Sequence, residues 1–205
     1  MELDPEVHAH PHGIGHRKID LALALSAVVL SIGSTVIAVQ NEAAMKRLVT
    51  ANSWPYVEMF HGNYRDGEQA IHFDLRNAGI GPARIEKFVV SYDGQPVHNH
   101  QELLERCCAL AKGANPRVMI NTVSQLVLTP REVLTFLDIS KNGLDDASFE
   151  RMDHERMKVD MHVCYSSVFD EHWITSLRNP KPKQVDSCDA LKEPEYEPHL
   201  YEDSK

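Results

Sequence analysis

Hydrophobic positions along the chain change period twice. Leu21 to Val39 is an unbroken apolar run of nineteen residues with no charge; its polar members are Ser26, Ser31, Ser34 and Thr35. Their hydroxyls can bond back to helical carbonyls. At about 1.5 Å of rise per residue the run reaches ~28 Å, close to the hydrocarbon thickness of a bilayer. The pattern predicts a transmembrane helix over 19–40. The run exceeds the 7–15 apolar residues usual for a cleaved leader and follows an acidic, histidine-bearing tail, which points to an uncleaved anchor. Asn41 to Asn52 is rich in helix formers, so a juxtamembrane helix is expected over 41–53, stopped by Ser53-Trp54-Pro55.

After residue 54 the period becomes two. Ile71, Phe73 and Leu75 alternate with His72, Asp74 and Arg76, and Phe88, Val90 and Tyr92 alternate later. Ile85 is out of phase with that second set, which predicts a bulge. Between the two strands, Asn77-Ala78-Gly79-Ile80-Gly81-Pro82 reads as a turn with two glycines available for positive φ. Tyr56 to Phe60, Val118 to Val123, Leu126 to Leu128, Val133 to Ile139, Val159 to Tyr165 and His172 to Leu177 complete the strand candidates. The last two form a hairpin around Ser166 to Glu171. A helix is expected over Gln101 to Lys112, capped by Asn99 or His100, and a second over Asp145 to Met157 with Phe149 and Met152 inward. Strand, long helix and parallel strand do not alternate. The expected fold is therefore one transmembrane α-helix plus a mainly-β domain, an antiparallel immunoglobulin-like sandwich with one or two short inserted helices.

The expected organisation is a disordered His-containing tail (1–18), the transmembrane helix (19–40), the juxtamembrane helix (41–53), the β-sandwich domain (54–178) and a disordered polar tail (179–205). The last segment combines prolines and charges with few apolar residues.

Composition narrows the function classes. Among 205 residues the acidic ones outnumber the basic by 30 to 21. No basic patch appears, so nucleic acid is not an expected partner; the expected partners are the membrane and another envelope protein. Arg17 and Lys18 abut the apolar run, while Lys46 and Arg47 lie further from its other end. This bias places the N-terminus inside and the β domain on the periplasmic or extracellular side.

Candidate chemistry is sparse. No nucleophile elbow, phosphate loop, Rossmann fingerprint or H-E-x-x-H occurs, so no catalytic or cofactor-binding residue and no cofactor is assigned. Ser166, Ser167, Asp170 and His172 contain the residue types of a hydrolase triad, but one hairpin loop holds them all and nothing supplies an oxyanion hole. His8, His10, His12 and His16 form a tract of good metal ligands, although a polar tail with scattered histidines explains them as simply. His98, His100, Cys107 and Cys108 offer a second ligand group at a helix start, but the cysteines fall among leucines, where a thiol acts as a small hydrophobe. Two function classes follow: a membrane-anchored, non-catalytic binding or scaffold module, and alternatively a metal-handling protein that uses one of these two groups. Among the four cysteines, the expected disulfide is Cys164–Cys188. Cys164 is out of phase with Val163 and Tyr165, and the prolines after Leu177 can bring the tail back over the outer face. Adjacent, helical Cys107 and Cys108 are expected to stay unbonded.

The strand end R-N-A-G-I-G-P-A (Arg76–Ala83) and the hairpin V-C-Y-S-S-V-F-D-E-H-W (Val163–Trp173) resemble uncharacterised bacterial single-pass membrane proteins with a small β domain after an N-terminal helix. In those proteins the hairpin carries further cysteines where Ser166 and His172 stand here. The resemblance implies location and fold, and no activity.

Overall fold

The computed structural model describes residues 14–111 and 116–197, with side chains from residue 17 onward. The chain divides into two units, residues 1–49 and 50–205.

The first unit is carried by α1, Ile14–Ala51, an unbroken helix of 38 residues. It absorbs both the transmembrane and the juxtamembrane segments and ends two residues short of the expected stop. Its apolar segment is exposed on every side and is long and apolar enough to cross a membrane. The hydroxyls of Ser26, Ser34 and Thr35 donate to the carbonyls of Leu23, Leu30 and Ser31 at 2.8–2.9 Å, so these three polar groups of the run are satisfied inside the helix.

The second unit is an antiparallel β domain. Its first sheet holds β1 (Val57–Arg65), β2 (Glu68–Asn77), β7 (Val133–Ser140) and β5 (Met119–Ile120), in the order β1-β2-β7-β5. The second holds β10 (Lys183–Val185), β9 (His172–Ser176), β8 (Val159–Ser166), β3 (Ala83–Tyr92) and β4 (Gln95–Val97), in that order, with β6 (Val127–Leu128) paired to the start of β3. Asp66-Gly67 and Asp93-Gly94 have positive φ at both positions, as tight turns between twisted strands require. They close β1 onto β2 and β3 onto β4.

Alternation sets the core. Ile71, Phe73 and Leu75 of β2 and Leu137 and Ile139 of β7 are buried with Phe88 and Val90 of β3 and Met161, Val163 and Tyr165 of β8. The two sheets thus share one hydrophobic core. The register of β3 against β8 shifts between Ile85 and Lys87, the bulge that the phase of Ile85 predicts. The shift lets Ile85 and Phe88 both point inward.

Two helices are inserted between strands. α2 spans His100–Cys108 and α3 spans Asp146–Glu155. The Asn99 side chain accepts from the Glu102 N–H at 2.9 Å, and Asp145 accepts from the Ser148 N–H at 2.9 Å. Each cap satisfies a donor that the helix itself leaves open. α2 is shorter than expected: it ends at Cys108 because Ala109 adopts a left-handed conformation and returns its N–H to the Leu104 carbonyl.

Three expectations are corrected. The polar tail is ordered as far as residue 197. β10 pairs with β9, Leu191 and Tyr196 are buried, and the Tyr196 ring meets Phe88 and Phe136 edge-on at 6.1 and 4.9 Å. That strand, the two buried side chains, the Cys164–Cys188 disulfide and the Tyr196 N–H bond to the Phe88 carbonyl together hold a segment that is otherwise proline-rich and charged. Next, Gly79 and Gly81 do not have positive φ. Their role is close approach: a Cβ on Gly81 would lie 1.9 Å from the Ser53 carbonyl oxygen, and one on Gly79 would lie 2.5 Å from that of Trp54. Finally, Cys107 and Cys108 are joined as a disulfide. The bond falls on the last helical residues, where Ala109 has already left the helix and the backbone is no longer held on both sides.

Candidate functional site

A polar cleft lies on the outer face of the second sheet. Residues that alternate along a strand share a face, so Val89 and Ser91 of β3 and Asp160 and His162 of β8 all point outward. Ser91 pairs with Asp160 and Val89 with His162 in the register. Arg178, just after β9, and Glu193, on the returning tail, complete a cleft of about 150 Å³. The Asp160 carboxylate holds His162 Nε2 at 3.2 Å and accepts the Arg178 N–H at 3.2 Å. The Arg178 guanidinium donates to the Met157 carbonyl at 3.3 Å.

The hydrogen bond to Asp160 holds the His162 imidazole above its ordinary range; burial opposes this, and Glu193 adds to it. Burial alone would raise Asp160, but His162 and the Arg178 N–H outweigh it and the carboxyl lies below its usual value. The charges of the cleft are therefore spent largely on one another. The cleft has room for a few waters or one small polar group, against the roughly 300–1,000 Å³ usual for organic ligands. No hydrogen bond joins Ser91 to His162 among the described residues.

A second polar network lies on the outer face of the first sheet. Asp74 is only 2% exposed. Both its oxygens accept from Arg65 at 2.7 Å, and one also meets His72 Nδ1 at 2.8 Å. Arg65 reaches Asp138 and Thr135 as well. The His72 ring lies over Gly62, where a Cβ would come within 2.4 Å of Nε2. Both Asp74 oxygens are paired within this network.

The residues singled out by sequence fall as follows. Cys164 and Cys188 are bonded, with Cα atoms 5.6 Å apart, and form a small outer cluster with Val89 and Leu191. The side chains of His8, His10, His12 and His16 lie outside the described residues. His98 Nδ1 meets Glu102 at 3.0 Å on the surface, while Cys107 and Cys108 are buried at the far end of α2. Eight residues separate His100 from Cys108, ~12 Å along the helix axis, too far for one ion. The structure does not bring these four together. Among the described residues, no group of three or more His, Cys, Asp or Glu converges as a ligand set.

The triad residue types are also apart in function. Ser166 accepts from Arg84, which also binds Asp170 at 2.6 Å, while Ser167 accepts the Phe169 N–H and His172 faces Glu86. The Asp160–His162 pair went unremarked in the sequence, although the β8 alternation places both residues outward. Arg178 and Glu193 carried no signal: Arg178 stands at the very end of the expected β domain, and Glu193 falls in the segment expected to be a free tail.

Neither the curated proteins nor the solved structures contain a match to this chain. A family model does match it, over residues 19–183, from the apolar segment of α1 to the first residue of β10. That match spans most of the chain, and on it the chain belongs to the family described as Domain of unknown function (DUF8453).

Proposed function

We propose that the chain is a bacterial single-pass membrane protein of the kind its two motifs resemble, whose β domain is a non-catalytic binding or scaffold module for another envelope protein. The observation that carries this reading is α1. Nineteen consecutive uncharged residues, exposed on all sides, demand an apolar surrounding, and lipid supplies one. On this reading the domain is an immunoglobulin-like sandwich. The core shared by two antiparallel sheets supports that, as do the wholly antiparallel pairings. A periplasmic or extracellular location is supported by two disulfides among four cysteines, since reducing compartments disfavour such bonds.

A binding role is supported by what the surface offers. The loop between β8 and β9 presents Val168 and Phe169 at 56% and 47% exposure. The nine-residue β1 stands at the edge of its sheet, with one side's backbone groups open to pairing. The test combines topology and capture. Reporter fusions after Lys205 are expected to be active only outside the cytoplasm; activity only inside would reverse the orientation. A photo-crosslinking residue at Phe169 or Tyr64 in living cells is expected to trap one dominant envelope protein. If both positions give only lipid and scattered products, the module reading fails.

A further inference from the structure

The cysteines of α2 meet a third sulfur. Met152 of α3 brings its Sδ to 3.3 Å from Cys107 Sγ and 3.4 Å from Cys108 Sγ. All three side chains are buried. Neither half-cystine has an S–H proton, so these are sulfur–sulfur approaches and not hydrogen bonds. We propose that this triangle is the oxidised form of a Cu(I) site made of two thiolates and one thioether.

Ligand chemistry selects the metal. Thiolate and thioether are soft donors and suit Cu(I). Zinc would call for further nitrogen, sulfur or oxygen ligands, and among the described residues no such group converges. With metal–sulfur bonds of about 2.3 Å, three ligands around one ion stand ~4 Å apart. Met152 already lies within that distance of both cysteines, and opening the Cys107–Cys108 bond frees their sulfurs to separate.

The position also favours a cation. The sulfurs lie at the C-terminal end of α2, where unpaired carbonyls make the field negative. That field disfavours free thiolates, so the thiols keep their protons until an ion displaces them. Access is provided on one side: Cys108 borders a surface cavity of about 420 Å³ formed with Ala109, Leu110, Asp145 and Arg151.

Loading takes two balanced steps. A thiol or phosphine reductant supplies two electrons, two protons enter, and the Cys107–Cys108 bond becomes two thiols. Cu(I) then displaces both thiol protons and binds the two thiolates with the neutral Met152 sulfur, leaving one net negative charge on the cluster. The site does not depend on the binding-module reading.

The test uses the full-length protein in detergent, reduced and then freed of reductant under anaerobic conditions. Cu(I) is titrated in against a chromogenic Cu(I) chelator. One Cu(I) per chain is expected, with only sulfur in the first shell by X-ray absorption. Met152→Leu keeps the side-chain volume, so it is expected to leave thermal unfolding unchanged while weakening Cu(I) binding at least tenfold. The Cys107→Ser/Cys108→Ser double variant is expected to lose the site. Nitrogen ligands in the shell, which would point to the histidine tail, overturn the proposal. So does unchanged affinity in a folded Met152→Leu protein, or failure of the reduced wild type to hold Cu(I) against the chelator.

Discussion

Asp74 and Leu75 are neighbours on one strand and answer to different physics. Leu75 is wholly buried in the shared core, and Leu75→Asp is expected to unfold the domain, since an unpaired buried carboxylate costs several kcal/mol of a total near 5–15. The alternation also marks Asp74 as a solvated position where leucine would be accepted. The structure corrects that: Asp74 lies under Arg65 and His72. Asp74→Leu would strand the Arg65 charge, with only Asp138 left to meet it. A loss of about 3 kcal/mol is expected in urea unfolding, at the low end for breaking a buried pair from one side. His162 makes a pH-dependent prediction. Its folded pKa is raised, so its stabilisation is fully present below its unfolded value of about 6.5 and is lost as pH rises through the folded value. His61 works in the opposite sense. Burial, with Arg156 and His72 nearby, lowers it, so the folded state resists its protonation as pH falls below about 6.5. His162→Asn is therefore expected to cost about 0.5 kcal/mol near pH 5.5 and to approach wild type near pH 8.5, in urea midpoints taken across that range.

At the scale of elements, the turn after β2 shows how one side chain can tie four segments. Asn77 is fully buried. Its oxygen accepts from the N–H groups of Tyr56 and Gly79, and its nitrogen donates to the carbonyls of Gly81 and Leu128. Every polar site of the amide is used, which is why an asparagine can be buried here. Gly79 and Gly81 then let the turn lie directly on the backbone of residues 53–56. Gly81→Ala is expected to cost about 3 kcal/mol, because the methyl would strike backbone that cannot swing aside, and differential scanning calorimetry would read the loss. A thermal midpoint equal to wild type would mean that this contact is not tight. The N-x-G-x-G-P wording of the turn was legible in sequence, but its reason was not: a glycine needed for close approach looks the same in sequence as one needed for positive φ.

For the whole β domain, the decisive element is the returning tail. Tyr196 fills the gap between Phe88 and Phe136, and its N–H bonds the Phe88 carbonyl at 2.9 Å. Its hydroxyl is buried with no hydrogen-bond partner among the described residues, and burial pushes the phenol well above the usual tyrosine range. Two outcomes follow for chemical denaturation. Tyr196→Ala is expected to lose about 3 kcal/mol through the cavity it opens. Tyr196→Phe is expected to match wild type or exceed it by up to about 1 kcal/mol, because it removes an unsatisfied polar atom and keeps the ring. If the alanine variant unfolds like wild type, the tail is not part of the core. The family match stops at residue 183, before Tyr196, although this side chain completes the core.

Local periodicity was enough to determine the long apolar helix, the alternating strands, the bulge at Ile85 and the two inserted helices. Each depends on residues within a few positions of one another, and a period of 3.6 or 2 records which side must leave water. Tertiary structure alone decided the burial of Asp74, the anchoring of Tyr196, the contact of Gly81 with Ser53, the polar cleft around Asp160 and the approach of Met152 to the α2 cysteines. Each of those joins positions far apart in the chain, or depends on which of several equivalent polar residues lies beneath a neighbour. A one-dimensional pattern carries the cost of exposing a hydrophobic face, but not the identity of the partner that covers it.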